Sequence, residues 1–433
     1  MEGGYGAPSA NVGHGRALTS VLLSHMPDGR PGAVHPYNRS RYPTLASSTD
    51  LAIHMSARPT WAEVNLTALQ QNYRAVQALV SSEATICCVV KCDGYGHGAV
   101  ECSRALQEIG ATWFGVTSTE EAVKLRRGGI TTRIMVMTGF WRGEEDEILD
   151  SDLTPAVWSL DHVHSLQHAA ERRPKRPVHV HVKIDTGMSR LGLPMAQVPA
   201  FIEELKKAED IVVEGIFSHL ASSEALDAED AQWQILCFDE VLKTFRDQGI
   251  TPTYRHLANS AAVVGRHDTW HNMVRPGLLL YGGCLPLEGT GAADAKVPAI
   301  TPVLSWKTRA IALKDLESGQ AIGYGGAYKT TRTTRIAVIP VGYGDGFSRH
   351  LSNKGRVIVR DQYAPIVGNV SMDLVTVDVT DIEGTSIGDE VILLGRTEHC
   401  RIDVEEHAMH TETIPYEILC GLSPRVPRKY VDE

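Results

Sequence analysis

Eight short runs rich in valine, isoleucine and threonine alternate with helical patterns such as "STEEAVKLRRGG" from about residue 60 to residue 282. This alternation is typical of parallel βα units. Eight units within about 200 residues favour an α/β barrel of the (β/α)₈ type. An open doubly wound sheet stays the alternative, because periodicity does not show closure. The eight runs are residues 84–91, 112–117, 133–138, 154–159, 178–185, 213–219, 254–259 and 273–282.

The sequence pattern changes after residue 296, where short strands separated by glycine, asparagine and aspartate replace the βα alternation. Runs such as "RIAVIPVGYG", "GRVIVR" and "LVTVDVT" predict a mainly antiparallel all-β domain. Pro298, Pro302 and the Gly/Ala-rich segment 288–296 mark the junction. We therefore predict a barrel domain over residues 59–296 and a C-terminal β domain over residues 297–433.

Residues 1–58 are rich in glycine, proline, serine, histidine and arginine. Their short apolar piece "LTSVLL" lacks the small-residue cleavage site of a secretory signal, and we interpret the segment as a disordered extension. Its five arginines against three acidic residues leave a transit peptide as the alternative.

Composition argues against two classes of partner. The net charge of -10 offers no basic surface for nucleic acid, and no stretch of about 18 apolar residues could span a membrane. The eight cysteines show no CxxC spacing, which suits reduced thiols in a cytosol. We expect a cytoplasmic protein that binds neither nucleic acid nor membrane.

Polar side chains close several of the predicted barrel strands. In a barrel of this type active sites collect at the carboxyl ends of the strands, so these residues should meet at one mouth. Any one of them alone is better explained as a polar group facing water, but four strands ending this way favour a site. The residues are Lys91, Lys183, Asp185, His219, Asn259, Ser260 and, early in the eighth run, Arg275.

Lys91 interrupts an apolar run in the segment "VVKCDGYGHG", residues 89–98. A lysine amine at the end of a buried strand can form a Schiff base with an aldehyde, and pyridoxal phosphate is the obvious cofactor of that kind. The phosphate of such a cofactor needs backbone N–H groups and hydroxyls. The segments "ANSAA" and "RPGLLLYG" supply them, although neither is a Walker-type loop.

Nine segments follow one another in a fixed order between residues 89 and 428. They are "VVKCDGYGHG", "HVKIDTGMSRLG", "GIFSHLASSE", "HLANSAA", "VRPGLLLYG", "IGYGGAY", "VGYGDGFSR", "VGNVSMDLVTVDV" and "TIPYEILCGLSPRVPR". Over about residues 59–430 the chain resembles the alanine racemases. The resemblance implies interconversion of L-alanine and D-alanine on pyridoxal phosphate, supplying D-alanine for peptidoglycan. Two residues depart from the family pattern: Cys92, where alanine is more usual, and Ser371, where many members carry cysteine.

The resemblance also implies catalytic roles. Lys91 would hold the cofactor and act as the base on one face of the substrate, while Tyr324 would act on the other face. A phenol with an ordinary pKa near 10 is almost fully protonated at pH 7. The resemblance therefore also implies a hydrogen bond from His219 to the tyrosine, with Arg275 behind the histidine. Arg275 would also face the pyridine nitrogen, where a guanidinium gives up no proton and so discourages transamination.

The remaining implied contacts divide between cofactor phosphate and substrate. The residues that match the phosphate contacts are Tyr95, Ser260, Gly277, Leu278 and Tyr416. Those that match the substrate contacts are Arg190, Met372 and Asp373. The family often carries a carbamylated lysine at the position of Lys183. The alternative for Lys183 is an unmodified lysine paired with Asp185.

Two histidines and a lysine share one face of the run 178–185, namely His179, His181 and Lys183. A metal site would need a third ligand of suitable spacing, and none stands out. We interpret these side chains as packing and hydrogen-bonding groups inside the barrel, and predict no metal.

Other functions stay open beside alanine racemisation. A broad-specificity or serine racemase of the same fold is the nearest alternative, because a pocket discriminates one hydroxyl or methylene by only about 1–3 kcal/mol. A non-catalytic pyridoxal-phosphate carrier would have no use for the β domain. "DTGMSRLG" and "RVPR" favour a racemase over a related decarboxylase, and "EHCRID" offers no convincing metal pair for an aldolase.

The resemblance further implies a homodimer, because Lys91 and Tyr324 belong to different predicted domains. The two bases reach one substrate only if the β domain covers its own barrel or a second chain supplies it. Similar racemases join head to tail, each β domain closing the barrel of its partner. The sequence alone does not choose between the two arrangements.

Overall fold

The computed structural model describes residues 58–174 and 176–432. The predicted extension over residues 1–58 lies, apart from Arg58, outside the described residues. Strand β1 (Thr60–Asn65) opens the described chain. Asn65 then caps the helix Leu66–Val80, because its side-chain oxygen accepts a hydrogen bond of 2.8 Å from the amide of Ala68.

Eight parallel strands form the first domain as a nearly closed barrel. With one short additional strand, β7, they are β2 (Thr85–Val89), β3 (Trp113–Val116), β4 (Arg133–Val136), β5 (Thr154–Val157), β6 (Val178–Asp185), β7 (Leu193–Pro194), β8 (Ile211–Phe217), β9 (Tyr254–His256) and β10 (Met273–Val274). Their order around the barrel is β10, β2, β3, β4, β5, β6, β8 and β9, and β7 pairs with β6. The amide of Arg275 donates to the carbonyl of Ala258 at 3.0 Å, where β10 approaches β9. The predicted barrel is confirmed.

Helices follow the barrel strands. The pattern "STEEAVKLRRGG" forms the helix Thr119–Arg127, which begins where Ser118 Oγ accepts from the amide of Glu121 at 3.1 Å. Acidic residues lie in its first turn and basic residues in its last, as the helix dipole favours. The other helices of six or more residues that follow barrel strands are Ala99–Glu108, Glu145–Asp150, Leu160–Glu171, Val198–Leu205, Glu229–Asp247 and Ser260–Gly265.

The eighth strand is much shorter than predicted. Residues 273–282 were expected to form one strand, but only Met273–Val274 pairs, and Leu278–Tyr281 forms a 3₁₀ helix. Pro276 lies between them and has no amide hydrogen to extend the ladder. Arg275 therefore follows the carboxyl end of its strand at the barrel mouth, rather than lying early in the strand.

The second domain is mainly antiparallel, as predicted. Its strands are β11 (Leu304–Arg309), β12 (Ala312–Leu316), β13 (Ala321–Ile322), β14 (Tyr328–Lys329), β15 (Thr334–Ile339), β16 (Arg356–Val359), β17 (Gln362–Pro365), β18 (Val375–Asp378), β19 (Glu390–Arg396), β20 (Arg401–Ile402) and β21 (Arg428–Val431). The largest sheet has the order β17, β16, β19, β11, β1 and β21, with β20 beside β19. Two helices, Val404–Thr411 and Pro415–Cys420, complete the domain.

Strand β1 joins the two ends of the described chain. It pairs antiparallel with β11 and parallel with β21, so the first described strand completes the sheet of the second domain. The sequence analysis did not predict this strand.

Apolar side chains fill the barrel interior below the mouth. They are Cys87, Trp113, Met135, Ala156, Phe217 and Met273. Two buried histidines pack among them: the ring of His181 lies 5.3 Å from that of Trp113, and the ring of His256 stacks on Phe217 at 4.9 Å. Among the described helices, none combines the length and the apolar composition that a membrane span requires.

Candidate active site

Lys91 follows strand β2 and begins a turn of left-handed backbone. Residues 92–96 all have positive φ, between 52° and 81°. Each non-glycine residue in this conformation costs roughly 1–2 kcal/mol, so contacts around the turn must hold it. The carboxylate of Glu121 accepts from the amide of Cys92 at 2.6 Å, and the amide of Gly94 donates to the carbonyl of Val90 at 2.9 Å. The half-buried Lys91 is thus fixed at the barrel mouth by a strained turn.

Arg275 is a buried cation whose Nη groups donate hydrogen bonds to a histidine ring and to backbone carbonyls. Nη1 donates to Nδ1 of His256 at 2.8 Å, and Nη2 donates to the carbonyls of Ser218 and Leu257 at 2.7 Å and 3.1 Å. Burial lowers the pKa of Arg275 to about 10, so it stays charged at neutral pH. Within the described residues its Nε–H has no acceptor. The Nε–H is therefore available to a bound molecule.

His219 lies beside Arg275. Nη2 of Arg275 is 3.5 Å from Nδ1 of His219. Because an arginine can only donate, Nδ1 accepts and the imidazole carries its proton on Nε2. Burial, and then the charge of Arg275, lowers the pKa of His219 to about 3, so the ring is neutral.

Lys183 lies near the carboxyl end of strand β6, in the same site, and is buried. Burial lowers the pKa of its amine to about 8, and Arg275, Arg190 and Lys91 act in the same direction. Its amine lies 5.4 Å from the centre of the Phe217 ring. No ion pair joins it to Asp185 in the part of the chain that the structure describes; Asp185 accepts instead from the amides of Gly187 and Ser189. The unmodified pair considered from the sequence is therefore not the arrangement seen.

The residues matched to phosphate contacts come together beside Lys91. Ser260 Oγ accepts from the amide of Gly277 at 2.9 Å, and a Cβ at Gly277 would stand 2.3 Å from the Tyr95 hydroxyl oxygen. The Tyr95 ring lies 5.9 Å from that of Tyr416. Leu278 follows Gly277 at the start of the 3₁₀ helix. These groups form a cradle of hydroxyls and backbone amides that glycine keeps open.

Strand β2 and the cradle are joined by the backbone. The amide of Val89 donates to the carbonyl of Pro276 at 3.0 Å. Asn259 caps the helix Ser260–Gly265 through a bond of 3.1 Å from the amide of Ala262, and so holds Ser260 in place. The barrel fold therefore brings Lys91, Ser260 and Arg275 to one mouth.

The residues predicted from the second domain lie on an exposed surface. Tyr324 is 74% exposed and Met372 is 52% exposed. The side chain of Asn369 donates to the carbonyl of Tyr324 at 2.9 Å, and the amide of Tyr343 donates to the carbonyl of Ser371 at 3.0 Å. We call Tyr324, Tyr343, Met372 and Leu374 the Tyr324 face; all four side chains are exposed.

The other two substrate candidates are also exposed. Asp373 accepts a hydrogen bond of 2.6 Å from Arg425, and Arg190 lies in the segment between strands β6 and β7. Within the described residues, no hydrogen bond or ion pair joins Tyr324 or Met372 to Lys91 or His219. A single chain therefore does not bring the predicted bases together through such contacts.

Two family models match most of the chain. The alanine racemase N-terminal domain matches residues 64–284, and the alanine racemase C-terminal domain matches residues 303–430. This chain belongs to the alanine racemase family. The predicted family, the interconversion of L-alanine and D-alanine, and the class of enzyme are confirmed by this membership.

Individual relatives support the same family assignment. The alanine racemase of Geobacter sp. strain M21 is 40% identical over 381 residues, covering 87% of this chain and 99% of that protein. The solved alanine racemase of Streptomyces lavendulae is 31% identical, with a TM-score of 0.80 over 87% of this chain and 98% of that one. The alanine racemase of Bacillus anthracis, solved with bound L-Ala-P, is 29% identical, with a TM-score of 0.79 over 87% and 96%.

The two departures from the alanine racemase pattern have structural settings. Cys92 lies in the left-handed turn beside Cys420, whose thiol pKa is raised by burial to about 11. Ser371 Oγ donates to the carbonyl of Leu374 at 2.8 Å and accepts from its amide at 3.1 Å. Ser371 thus closes the loop that carries Met372.

Sequence reasoning missed two racemase side chains behind Arg275, namely His256 and Glu214. His256 is the first residue of the motif "HLANSAA", but the sequence does not indicate which side chain it contacts. Glu214 is an acid in an apolar run, which was a usable signal. A β-bulge hid its direction, because Val180 pairs with Val213 and His181 with Gly215, leaving Glu214 as the extra residue.

Proposed function

We propose that this racemase acts on alanine with pyridoxal phosphate attached to Lys91, and supplies D-alanine for cell-wall peptidoglycan in the cytoplasm. When bound, the cofactor supplies an electron sink for the bond that breaks at the substrate α-carbon. The observation that carries the proposal is the meeting of Lys91, Ser260 and Arg275 at one barrel mouth. All eight cysteines are free thiols, which suits a reducing compartment.

The residues present fit this cofactor at both of its ends. The cradle offers a phosphate the hydroxyls of Ser260, Tyr95 and Tyr416 and the backbone amide of Leu278, and Gly277 leaves the space open. The free Nε–H of Arg275 can donate to a pyridine nitrogen. Because a guanidinium does not release its proton, that nitrogen would stay unprotonated, which disfavours transamination.

Two bases on opposite faces of the substrate would move the α-proton. Lys91 Nζ serves one face, and the Tyr324 hydroxyl serves the other. The orientation of His219 supports this assignment, because its Nε2 carries a hydrogen that a phenolate oxygen would accept. The buried charge of Arg275 lies behind the imidazole and also favours the phenolate.

The second base would come from another chain, in a homodimer with shared sites. Contiguous exposed apolar surface marks interaction sites, and the Tyr324 face groups four exposed side chains of this kind. A head-to-tail pair in which each Tyr324 face closes the partner's barrel is symmetric and closed. It would place Tyr324 of the partner subunit opposite Lys91.

Substrate binding would fall to Arg190, Met372 and Asp373. Lys183 supports a carbamate, because its buried amine has a lowered pKa and lies among positive charges. The neutral amine would attack carbon dioxide and lose a proton, leaving an anion between Arg275 and Arg190. Arg190 would then be oriented to bind the substrate carboxylate. Asp373 is already paired with Arg425 and would act from the loop of Met372.

A racemisation assay over a panel of L-amino acids, with cofactor absorbance recorded, tests the proposal. We expect alanine to be the best substrate, and Lys91→Ala to remove both the absorbance band and turnover. The surface variant Lys206→Ala is the matched control and should retain both. A borohydride-reducible adduct on another lysine would contradict the cofactor site, and faster turnover of serine would contradict the substrate.

A further inference from the structure

Four side chains form a buried chain of polar contacts that ends at Arg275. We call it the buried relay: Glu214, His181, His256 and Arg275. Nε2 of His181 lies 3.8 Å from Oε2 of Glu214. Nδ1 of His181 is hydrogen-bonded to Nε2 of His256 at 2.8 Å, and Nδ1 of His256 to Nη1 of Arg275 at 2.8 Å. Both histidines are fully buried, and Glu214 and Arg275 are 9% and 4% exposed.

The direction of each bond in the relay is determined by its Arg275 end. A guanidinium has no acceptor, so Nδ1 of His256 must accept from Arg275. The proton of the neutral His256 ring then lies on Nε2, which donates to Nδ1 of His181. The proton of His181 therefore also lies on Nε2, facing Glu214. Burial lowers the pKa of both imidazoles, which keeps both rings neutral.

The Glu214 end of the relay has the opposite polarity. Although burial acts against ionisation, His181 and Arg133 outweigh it and hold the pKa of Glu214 at about 2. Arg133 Nη1 donates to Oε1 of Glu214 at 2.8 Å. An ionised carboxylate can only accept. The N–H of His181 thus faces a carboxylate that cannot become a hydrogen-bond donor. At 3.8 Å the attraction between them is electrostatic rather than a hydrogen bond.

The relay also helps to stabilise the buried charge of Arg275. No ion pair reaches this guanidinium from any carboxylate among residues 58–174 and 176–432. A buried charge without an ionic partner is costly unless its hydrogen bonds are complete. His256 supplies one of the few acceptors that Arg275 has. Among the described residues, His181 is the only hydrogen-bonding partner of the His256 Nε2 atom.

We propose that Glu214 and His181 are positioning residues of the racemase. They hold the His256 ring with its Nδ1 lone pair towards Arg275. Nη1 then donates to His256 and Nη2 to the carbonyls of Ser218 and Leu257, and the Nε–H is left for the ring nitrogen of the cofactor. This role rests on the proposed cofactor site. Neither residue touches the reacting atoms; each acts through Arg275.

The first test needs no turnover. Nitrogen-15 NMR of the full-length protein labelled at histidine distinguishes protonated from unprotonated ring nitrogens, and His181→Phe and His256→Gln assign the two signals. We expect Nε2 protonated and Nδ1 unprotonated in both rings, with or without cofactor. A wild-type His256 ring protonated on Nδ1 would overturn the inference. Absence of cofactor absorbance from the wild type would instead overturn the proposed function and leave this ring pattern standing.

The second test compares Glu214→Gln with a matched change elsewhere. Glutamine keeps the shape but can present an N–H to His181, so the far end of the relay loses its fixed polarity. We expect kcat to fall about tenfold with KM within about twofold, a shifted cofactor absorbance and a larger fraction of transamination per turnover. The control is Glu406→Gln, which alters a carboxylate bonded to Arg356 through 2.9 Å contacts in the second domain.

A purely structural role would give a different result. Lower thermal stability in Glu214→Gln, with unchanged histidine signals, absorbance and transamination, would overturn the inference. If that variant does not fold, His181→Phe serves instead, because a ring of similar size removes the acceptor of His256. It should change the His256 Nε2 signal and raise transamination. If His181→Phe kept the wild-type His256 Nε2 signal and the wild-type level of transamination, the inference would also be overturned.

Discussion

Nη2 of Arg275 lies 3.5 Å from Nδ1 of His219 at the barrel mouth. This contact turns the Nε2 hydrogen of a neutral imidazole away from the guanidinium. A phenol brought to that side would find a hydrogen-bond donor and, behind it, a positive charge. The proposed second base therefore has a prepared position in the barrel, although Tyr324 lies on the exposed face of the other domain.

Replacement of Tyr324 by phenylalanine should affect the two enantiomers unequally. The variant lacks the hydroxyl proposed to take the proton from L-alanine, while Lys91 still acts on D-alanine. Cα hydrogen exchange with deuterated solvent, measured separately from each enantiomer, should be lost far more from L-alanine, by roughly 100-fold or more. Tyr363→Phe, a phenol of the same domain bonded to the carbonyl of Arg401, is the control. Equal losses from both enantiomers would refute the assignment of faces.

Mixing two inactive variants should restore activity if the sites are shared. Lys91→Ala and Tyr324→Ala chains that exchange subunits give half heterodimers, each with one intact and one doubly damaged site. Activity should rise to about a quarter of wild type. Exchange is checked by native mass spectrometry with one chain isotopically labelled. Zero activity after complete exchange would mean that each chain builds its own site.

Replacement of Gly277 by alanine should weaken cofactor binding. The new Cβ would stand 2.3 Å from the Tyr95 hydroxyl oxygen, too close for either group to stay in place. Overpacking of this kind costs about 1–3 kcal/mol, so the cofactor dissociation constant should rise roughly 5- to 150-fold. Fluorescence titration of apoprotein measures it. The double variant with Tyr95→Phe, which removes the nearest atom, should recover part of the loss relative to Gly277→Ala. An unchanged constant in Gly277→Ala would show that the cradle does not hold the cofactor.

Stability should fall as the pH is lowered from 6.5 towards 4. Burial lowers the pKa of both His97 and His407 from 6.5 to about 4. Between these values the unfolded chain binds a proton at each imidazole and the folded chain does not. Each histidine therefore costs about 1.4 kcal/mol of unfolding free energy per pH unit.

Urea unfolding at several pH values tests this dependence. His407→Gln should reduce the slope by about 1.4 kcal/mol per pH unit. His168→Gln is the control, because that side chain is 74% exposed and should not alter the slope. An unchanged slope in His407→Gln would contradict a neutral buried His407.

Much of the fold followed from local pattern. The strand Val178–Asp185 coincides with its predicted run, and six other barrel strands lie within or close to theirs, because β-branched runs bounded by polar residues have few other ways to be buried. The predicted eighth strand was too long for an equally local reason, because Pro276 ends the strand just after Arg275. Strand β1 was missed because its pairing partners lie more than 200 residues away in the sequence.

The sequence by itself determined the family and the order of polar groups at the strand ends, and it favoured the (β/α)₈ barrel without showing that the sheet closes. Lys91, Ser260 and Arg275 meet at the mouth because parallel strands share one carboxyl edge. Only the tertiary structure decided which groups contact Arg275. The bulge at Glu214, the facing rings of His181 and His256, and the exposure of Tyr324 depend on register and on contacts between distant segments. Local propensity carries no information about such contacts, because their energy exists only once the barrel has closed around them.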